Sequence, residues 1–178
     1  MSMATTAPAL DYEVDGSAME YHDVPVGDDR IERLMTEIFT EHWSKITTGP
    51  LVQGGAWEIR FSAAPKVTML DGYLTVDTGP WHFHLCVNDT RTTPSEELRR
   101  VRRVARAAFY RSLDAKGAPV SWGLRLWNGR GEQMGSVLFP NPHYDETFHR
   151  LAEPDWAKTQ LWDDLRRRYA GGSREAHV

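Results

Sequence analysis

The sequence predicts an α+β domain: a mainly antiparallel sheet of about five strands with helices packed on one face. Three observations carry this. Several short segments alternate apolar and polar residues with the period of two of a half-buried strand, residues 81 to 87 most strictly. Two dipeptides suited to hairpin turns, Asp71-Gly72 and Asn128-Gly129, join such segments. Stretches of helical period stand between and after them, so helices layer on the sheet.

Residues 1 to 25 are rich in Ala, Thr and acidic residues without a sustained period and read as a mobile arm. A first helix is expected over 28–44, where Ile31, Leu34, Ile38 and Trp43 share a face and Asp28 or Asp29 can cap it; Gly49-Pro50 prevents its continuation. Residues 57–61 alternate as a strand with Trp57, Ile59 and Phe61 on the apolar side, and 66–78 form a hairpin around Asp71-Gly72. Gly79-Pro80 leads into the strand Trp81-His82-Phe83-His84-Leu85-Cys86-Val87.

A second helix is expected from Pro94 to Gly117. Thr93 with Glu96 makes a capping box, and Leu98, Val101, Ala105, Ala108, Phe109 and Ser112 keep helical spacing. One long helix between strands leaves room for a single parallel crossover. Strands near 121–127 and 133–139 follow, joined across Asn128-Gly129, and Pro140-Asn141-Pro142 breaks the second. Pro154 opens a final helix whose Leu161, Leu165 and Tyr169 share a face. The expected organisation is an arm (1–25), one α+β domain (26–170) and a tail (171–178).

Composition narrows the classes of function. With 178 residues, 40% apolar and 26% charged, the chain has the make-up of one globular domain. A formal net charge of −4 argues against general affinity for nucleic acid or an anionic membrane. A single Cys excludes an internal disulfide, no basic-then-apolar leader is present, and no apolar run approaches a membrane span. These features predict a soluble, cytoplasmic protein; they do not fix its oligomeric state.

Alternation places His82, His84 and Cys86 on one side of their strand and Trp81, Phe83, Leu85 and Val87 on the other. Neutral imidazole and thiolate bind zinc, iron, nickel or copper, and Glu58 could complete the set. Cys86 fits a small buried hydrophobe equally well, and the histidines also suit acid–base or hydrogen-bonding work without metal. If the strands are neighbours, Glu58, Arg60, Arg125 and Trp127 share the histidine side, with Tyr73, Thr75 and Asp77 added by the hairpin. Arg99, Arg102, Arg103 and Arg106 would line one flank of the second helix, either as a solvated face or with Arg102 and Arg106 reaching an anionic ligand. The loop from Pro140 to Glu146 is able to fold over this platform and bring His143 or Asp145 to it. There is no Gly-rich phosphate loop, Gly-x-Ser-x-Gly elbow or His-Glu-x-x-His helix.

Three stretches carry a resemblance: Gly79 to Cys86, Arg102 to Arg111 and Ser121 to Gly129. In them the chain resembles a family of small, functionally uncharacterised bacterial proteins, loosely associated with cobaltochelatases, over roughly residues 55 to 169. That resemblance implies a tetrapyrrole-related role, since such ligands are anionic and metal-associated. The expected function is a metal-dependent enzyme acting on a small anionic molecule. His82, His84, Cys86 and Glu58 are its candidate ligands for a divalent transition metal, and Glu58 and His84 its candidate catalytic groups. Arg60, Arg125, Arg102, Arg106, Tyr73 and Trp127 would hold substrate. The alternative is a non-catalytic binding module for haem, another tetrapyrrole or an anionic metabolite.

Overall fold

The computed structural model describes residues 8–12, 16–52, 55–92 and 94–171. In chain order these form β1 (Ala9–Tyr12), β2 (Ala18–Val24), α1 (Arg30–Glu41), β3 (Thr47–Gly49), β4 (Leu51–Val52), β5 (Gly55–Ala56), β6 (Lys66–Leu70), β7 (Tyr73–Asp77) and β8 (His82–Cys86). Then come α2 (Glu96–Arg102), β9 (Arg106–Leu113), β10 (Pro119–Trp127), β11 (Gln133–Leu138) and α3 (Gln160–Tyr169). The α+β class with antiparallel pairing is as expected, but the single sheet divides. One sheet has six strands in the order β1-β2-β9-β10-β11-β3, a second is β6-β7-β8, and β4-β5 is a small ribbon. Every strand pairing among the described residues is antiparallel, so the parallel crossover is not used there.

The core fills the space between one face of the six-stranded sheet, the helices and the inner face of β6-β7-β8. Val24, Phe109, Leu124 and Val137 meet Leu34, Ile38, Phe39, Trp162 and Leu165, and Leu74, Val76 and Leu85 close the other side. α1 packs on β6, β7 and α3. Ile31, Leu34 and Ile38 are buried as their spacing requires, although the helix stops at Glu41 and Trp43 falls in a 3₁₀ turn. In α3 the buried side chains are Trp162, Leu165 and Tyr169. The indole Nε1 of Trp162 donates to the Gly123 carbonyl at 3.0 Å, anchoring α3 to the middle of the sheet. Gly123 has no alternative, because a Cβ there would stand 2.3 Å from the Tyr110 ring on the opposite face.

The Asp71-Gly72 turn is as read, whereas Asn128-Gly129 opens a longer loop, 128–132, whose positive φ falls on Gly131 (76°). Asp71 and Gly72 both take positive φ (53° and 80°), the geometry of the tight turn that matches strand twist. Asn128 Oδ1 accepts the N–H groups of Arg130 and Glu132, closing β10 onto β11.

Three expectations are corrected. The second helix is only α2, capped by Ser95, whose side chain accepts the Leu98 N–H; Thr93 lies outside the described residues. Residues 106–113 are instead the strand β9, paired on both sides by β2 and β10. Buried on both faces, β9 shows no polar alternation, so Ala105, Ala108, Phe109 and Ser112 mimic a helical stripe. Gly117 belongs to the β9–β10 turn, where Asp114 accepts the N–H groups of Lys116 and Ala118. The strand over 57–61 reduces to one bridge, Ile59 to Thr48, and Trp57 is exposed. The N-terminal segment read as an arm contains β1 and β2, and Ala18, Tyr21 and Val24 are buried there. Residues 172–178 of the tail lie outside the described residues.

Candidate functional site

A cavity of about 670 Å³ opens where β10, β11 and β3 end, beneath the loop that follows Pro140. Tyr144 and Phe148 give it aromatic edges, with the buried core rings Trp122 and Phe139 behind them, and Lys45, Arg60 and Lys158 bring cationic groups. Its acids are largely committed. Asp145 Oδ1 accepts the N–H groups of Thr147 and His149 and the Thr147 hydroxyl, at 2.8–2.9 Å. Those donors, the His149 N–H first, hold its carboxyl below the ordinary range. Asp155 accepts the Ala157 N–H, and Glu146 pairs with Lys158 at 3.0 Å. Arg60 donates to two neutral oxygens, Thr47 Oγ1 and the Glu146 carbonyl, and stacks 4.1 Å from the centre of the Phe148 ring. Among the described residues no ion pair engages Arg60, and Glu58 is a further acid that shares its cavity.

Phe148 is unusual. It is 59% exposed, and its φ of 64° is a conformation that bulky side chains avoid. The Asp145 hydrogen bonds, with Asp145 N–H donating to the His149 carbonyl, fold the loop so tightly that Phe148 is held at the cavity edge.

The residues singled out in the sequence fall in four places. Glu58 and Arg60 line the cavity. Arg106, Arg125 and Trp127 stand together on the face of the six-stranded sheet opposite the main core, where Tyr21, Ala108 and Tyr110 form a second, smaller apolar cluster. Arg125 donates to the Tyr21 hydroxyl at 2.9 Å, and Arg106 pairs with Asp23 and lies over Trp127. Burial pushes the Tyr110 phenol up; Arg125 opposes this and Glu58 adds to it. Tyr73, Cys86 and Arg102 converge on the buried carboxylate of Asp89, which Arg91 grips through two oxygens at 2.9 and 2.7 Å. Burial pushes the Cys86 thiol up, away from the thiolate a metal needs, so of its two readings the buried hydrophobe fits better. His82 and His84 are exposed on the outer face of β8, with Thr75 directly opposite His84.

The common platform expected from alternation is thus corrected: its strands belong to two different sheets, and 57–61 is not a strand. The arginines read as one helical flank separate because Arg106 lies on β9. Among the described residues, the one group of three ligating side chains whose atoms mutually approach within 4.8 Å is Glu37, Glu41 and His42. His82, His84, Cys86 and Glu58 do not form such a set. Glu37 is already engaged by Arg168 and by the Tyr169 hydroxyl.

Lys45, Lys158, Tyr144 and Phe148 went unmarked in the sequence. The signal for Tyr144 was the Pro140–Glu146 loop, which does reach the cavity and also brings the Asp145 already marked there. His143 turns away, its Nε2 3.1 Å from the Pro119 carbonyl, between Trp122 and Trp156.

Fold and cavity together define a small two-sheet α+β protein with a cavity lined by aromatic and cationic side chains. The chain belongs to DUF7676, a family of unknown function whose model matches residues 8–171. No protein of curated function matches it. Among solved structures, the heme binding protein ChuX is similar in fold, with a TM-score of 0.52 at 15% identity over 83% of this chain and 76% of that one. The heme degrading enzyme ChuS of Escherichia coli O157:H7 gives 0.48 at 16% identity, over 87% of this chain. The heme-binding protein PhuS of Pseudomonas aeruginosa gives 0.48 at 15%, over 83%. This chain spans only 36% of ChuS and 34% of PhuS. At such identities the likeness is one of fold. No helix among the described residues is long and apolar enough to cross a membrane.

Proposed function

We propose that this protein is a binding module for a planar anionic ligand of the tetrapyrrole class, haem among them, held in the cavity beneath the 140–150 loop. The observation that carries this reading is the pairing of aromatic side chains with Arg60, which no ion pair engages among the described residues, in about 670 Å³, within the range of small-molecule sites. The fold likeness to ChuX supports the choice of ligand class. Aromatic rings match the faces of a macrocycle, and Arg60 and Lys45 match its carboxylates.

The fit to an iron centre is narrower. Among the described residues no histidine or cysteine lines the cavity, and Tyr144 is the lining side chain of a type that holds haem iron. Ring faces and carboxylates, not the metal, therefore carry the affinity. When bound, haem would supply redox-active iron; the residues here bind and orient the ring. The cobaltochelatase association belongs to the same ligand class and is reached by the same experiment.

The test is an absorbance titration with haem and with metal-free protoporphyrin. Both bind, with affinities within about tenfold of each other. Arg60→Ala weakens both by about tenfold or more, the scale of one charge-assisted hydrogen bond. Haem binding that vanishes when iron is removed, or that ignores Arg60, contradicts the reading.

A further inference from the structure

The outer face of β6-β7-β8 plays no part in the cavity, yet it presents two imidazoles side by side. His82 and His84 are both exposed, their ring centres are 5.1 Å apart, and the planes meet edge to face at 67°. Their neighbours across the strand pair are Asp77 and Thr75. The Thr75 hydroxyl lies 2.7 Å from Nδ1 of His84. With Nδ1 donating to that oxygen, the lone pair for a metal is on Nε2. Asp77 is occupied through Oδ1, which accepts the Gly79 N–H at 2.8 Å.

We propose that His82 and His84 form a two-imidazole chelate for a divalent transition ion, separate from the cavity. Imidazole nitrogens bind zinc at about 2.0–2.1 Å, so two of them on one tetrahedral ion stand about 3.4 Å apart. Rings already 5.1 Å apart between centres reach that spacing by side-chain rotation alone. Position i to i+2 on a strand fixes both rings to one face, which removes most of the ordering cost of chelation. The Thr75 hydroxyl does for His84 what an outer partner does for a metal-bound histidine: it sets the tautomer and the ring direction. Among the described residues no third ligating side chain completes a set with the pair, so water fills the remaining positions. The ions this donor set favours are copper, nickel and zinc.

The experiment is calorimetric titration of the untagged full chain with Cu²⁺, Ni²⁺ and Zn²⁺ at neutral pH, with electron paramagnetic resonance of the copper complex. The expected result is one ion per chain and a copper signal split by two equivalent nitrogens. His82→Ala and His84→Ala each weaken binding about a hundredfold and leave the unfolding midpoint unchanged, because both side chains are exposed. Thr75→Val weakens it about tenfold, and Thr75→Ser restores it. His42→Ala has no effect. Binding that survives the His82→Ala/His84→Ala double variant, no binding by the wild type, or loss in His42→Ala alone overturns the proposal, the last by moving the ion to the end of α1.

Discussion

Phe148 is held in a conformation that costs the fold something. A left-handed backbone at a non-glycine residue disfavours the native state by about 1–2 kcal/mol, and its ring is 59% exposed, so burial returns little. Its contact with the Arg60 guanidinium, 4.1 Å from the ring centre, is worth about 0.5–1 kcal/mol at an exposed site. Phe148→Gly relieves the strain, loses that contact and adds unfolded-chain entropy of about 0.4–1 kcal/mol. The three terms nearly cancel. Stability of Phe148→Gly is therefore expected within about 1 kcal/mol of wild type, whereas truncating a buried Phe costs about 3–5 kcal/mol. Protoporphyrin affinity falls about tenfold in the same variant, through loss of one ring face. Denaturant unfolding and an absorbance titration on one preparation measure both. A large loss of stability with unchanged affinity would make Phe148 a structural residue.

At the scale of elements, the joint between β7, the turn after β8 and α2 is ionic. The Asp89 carboxylate has no exposed side-chain surface; it takes three bonds from Arg91, two from the guanidinium and one from the backbone N–H, and one from the Tyr73 hydroxyl, with Arg102 3.8 Å away. The Arg91 bonds, chiefly, hold its pKa well below the ordinary aspartate value. Below the ordinary range near 3.9 the unfolded chain takes up a proton that the folded one refuses. The contribution of Asp89 is thus fully present above about pH 4 and is lost as pH falls toward its depressed folded value. The unfolding midpoint of the wild type should drop more steeply over this acid window than that of Asp89→Asn, which starts lower at neutral pH. Parallel curves would show that Asp89 is not the acid-sensitive joint. This element was hidden in the sequence: Tyr73, Asp89, Arg91 and Arg102 have no common spacing. By contrast, strand alternation in β8 and the Asp71-Gly72 and Asn128-Gly129 turns were legible, because each depends on residues adjacent in the chain. β9 was misread for the opposite reason. Flanked by β2 and β10 and covered on both faces, its pattern reflects long-range packing, not its own exposure.

For the whole molecule, the class followed from local signals, but the division into two sheets did not. Which strands pair is a matter of distant partners, and that choice decided the site. It sent His82 and His84 to the outer face of one sheet, Arg125 and Trp127 to a face of the other, and Glu58 and Arg60 to the cavity between the strand ends and the 140–150 loop. Reading the side of a strand is safe from sequence; reading whether two such sides coincide is not. The resulting molecule keeps two chemically different surfaces, a cavity lined by aromatic and cationic side chains and an exposed imidazole pair. The most direct measurement is a crystal structure of the protein grown with haem. The account predicts the ring in the cavity, one face against Phe148 and its carboxylates on Arg60 and Lys45. A ring bound instead at His82 and His84, with the cavity empty, would contradict it.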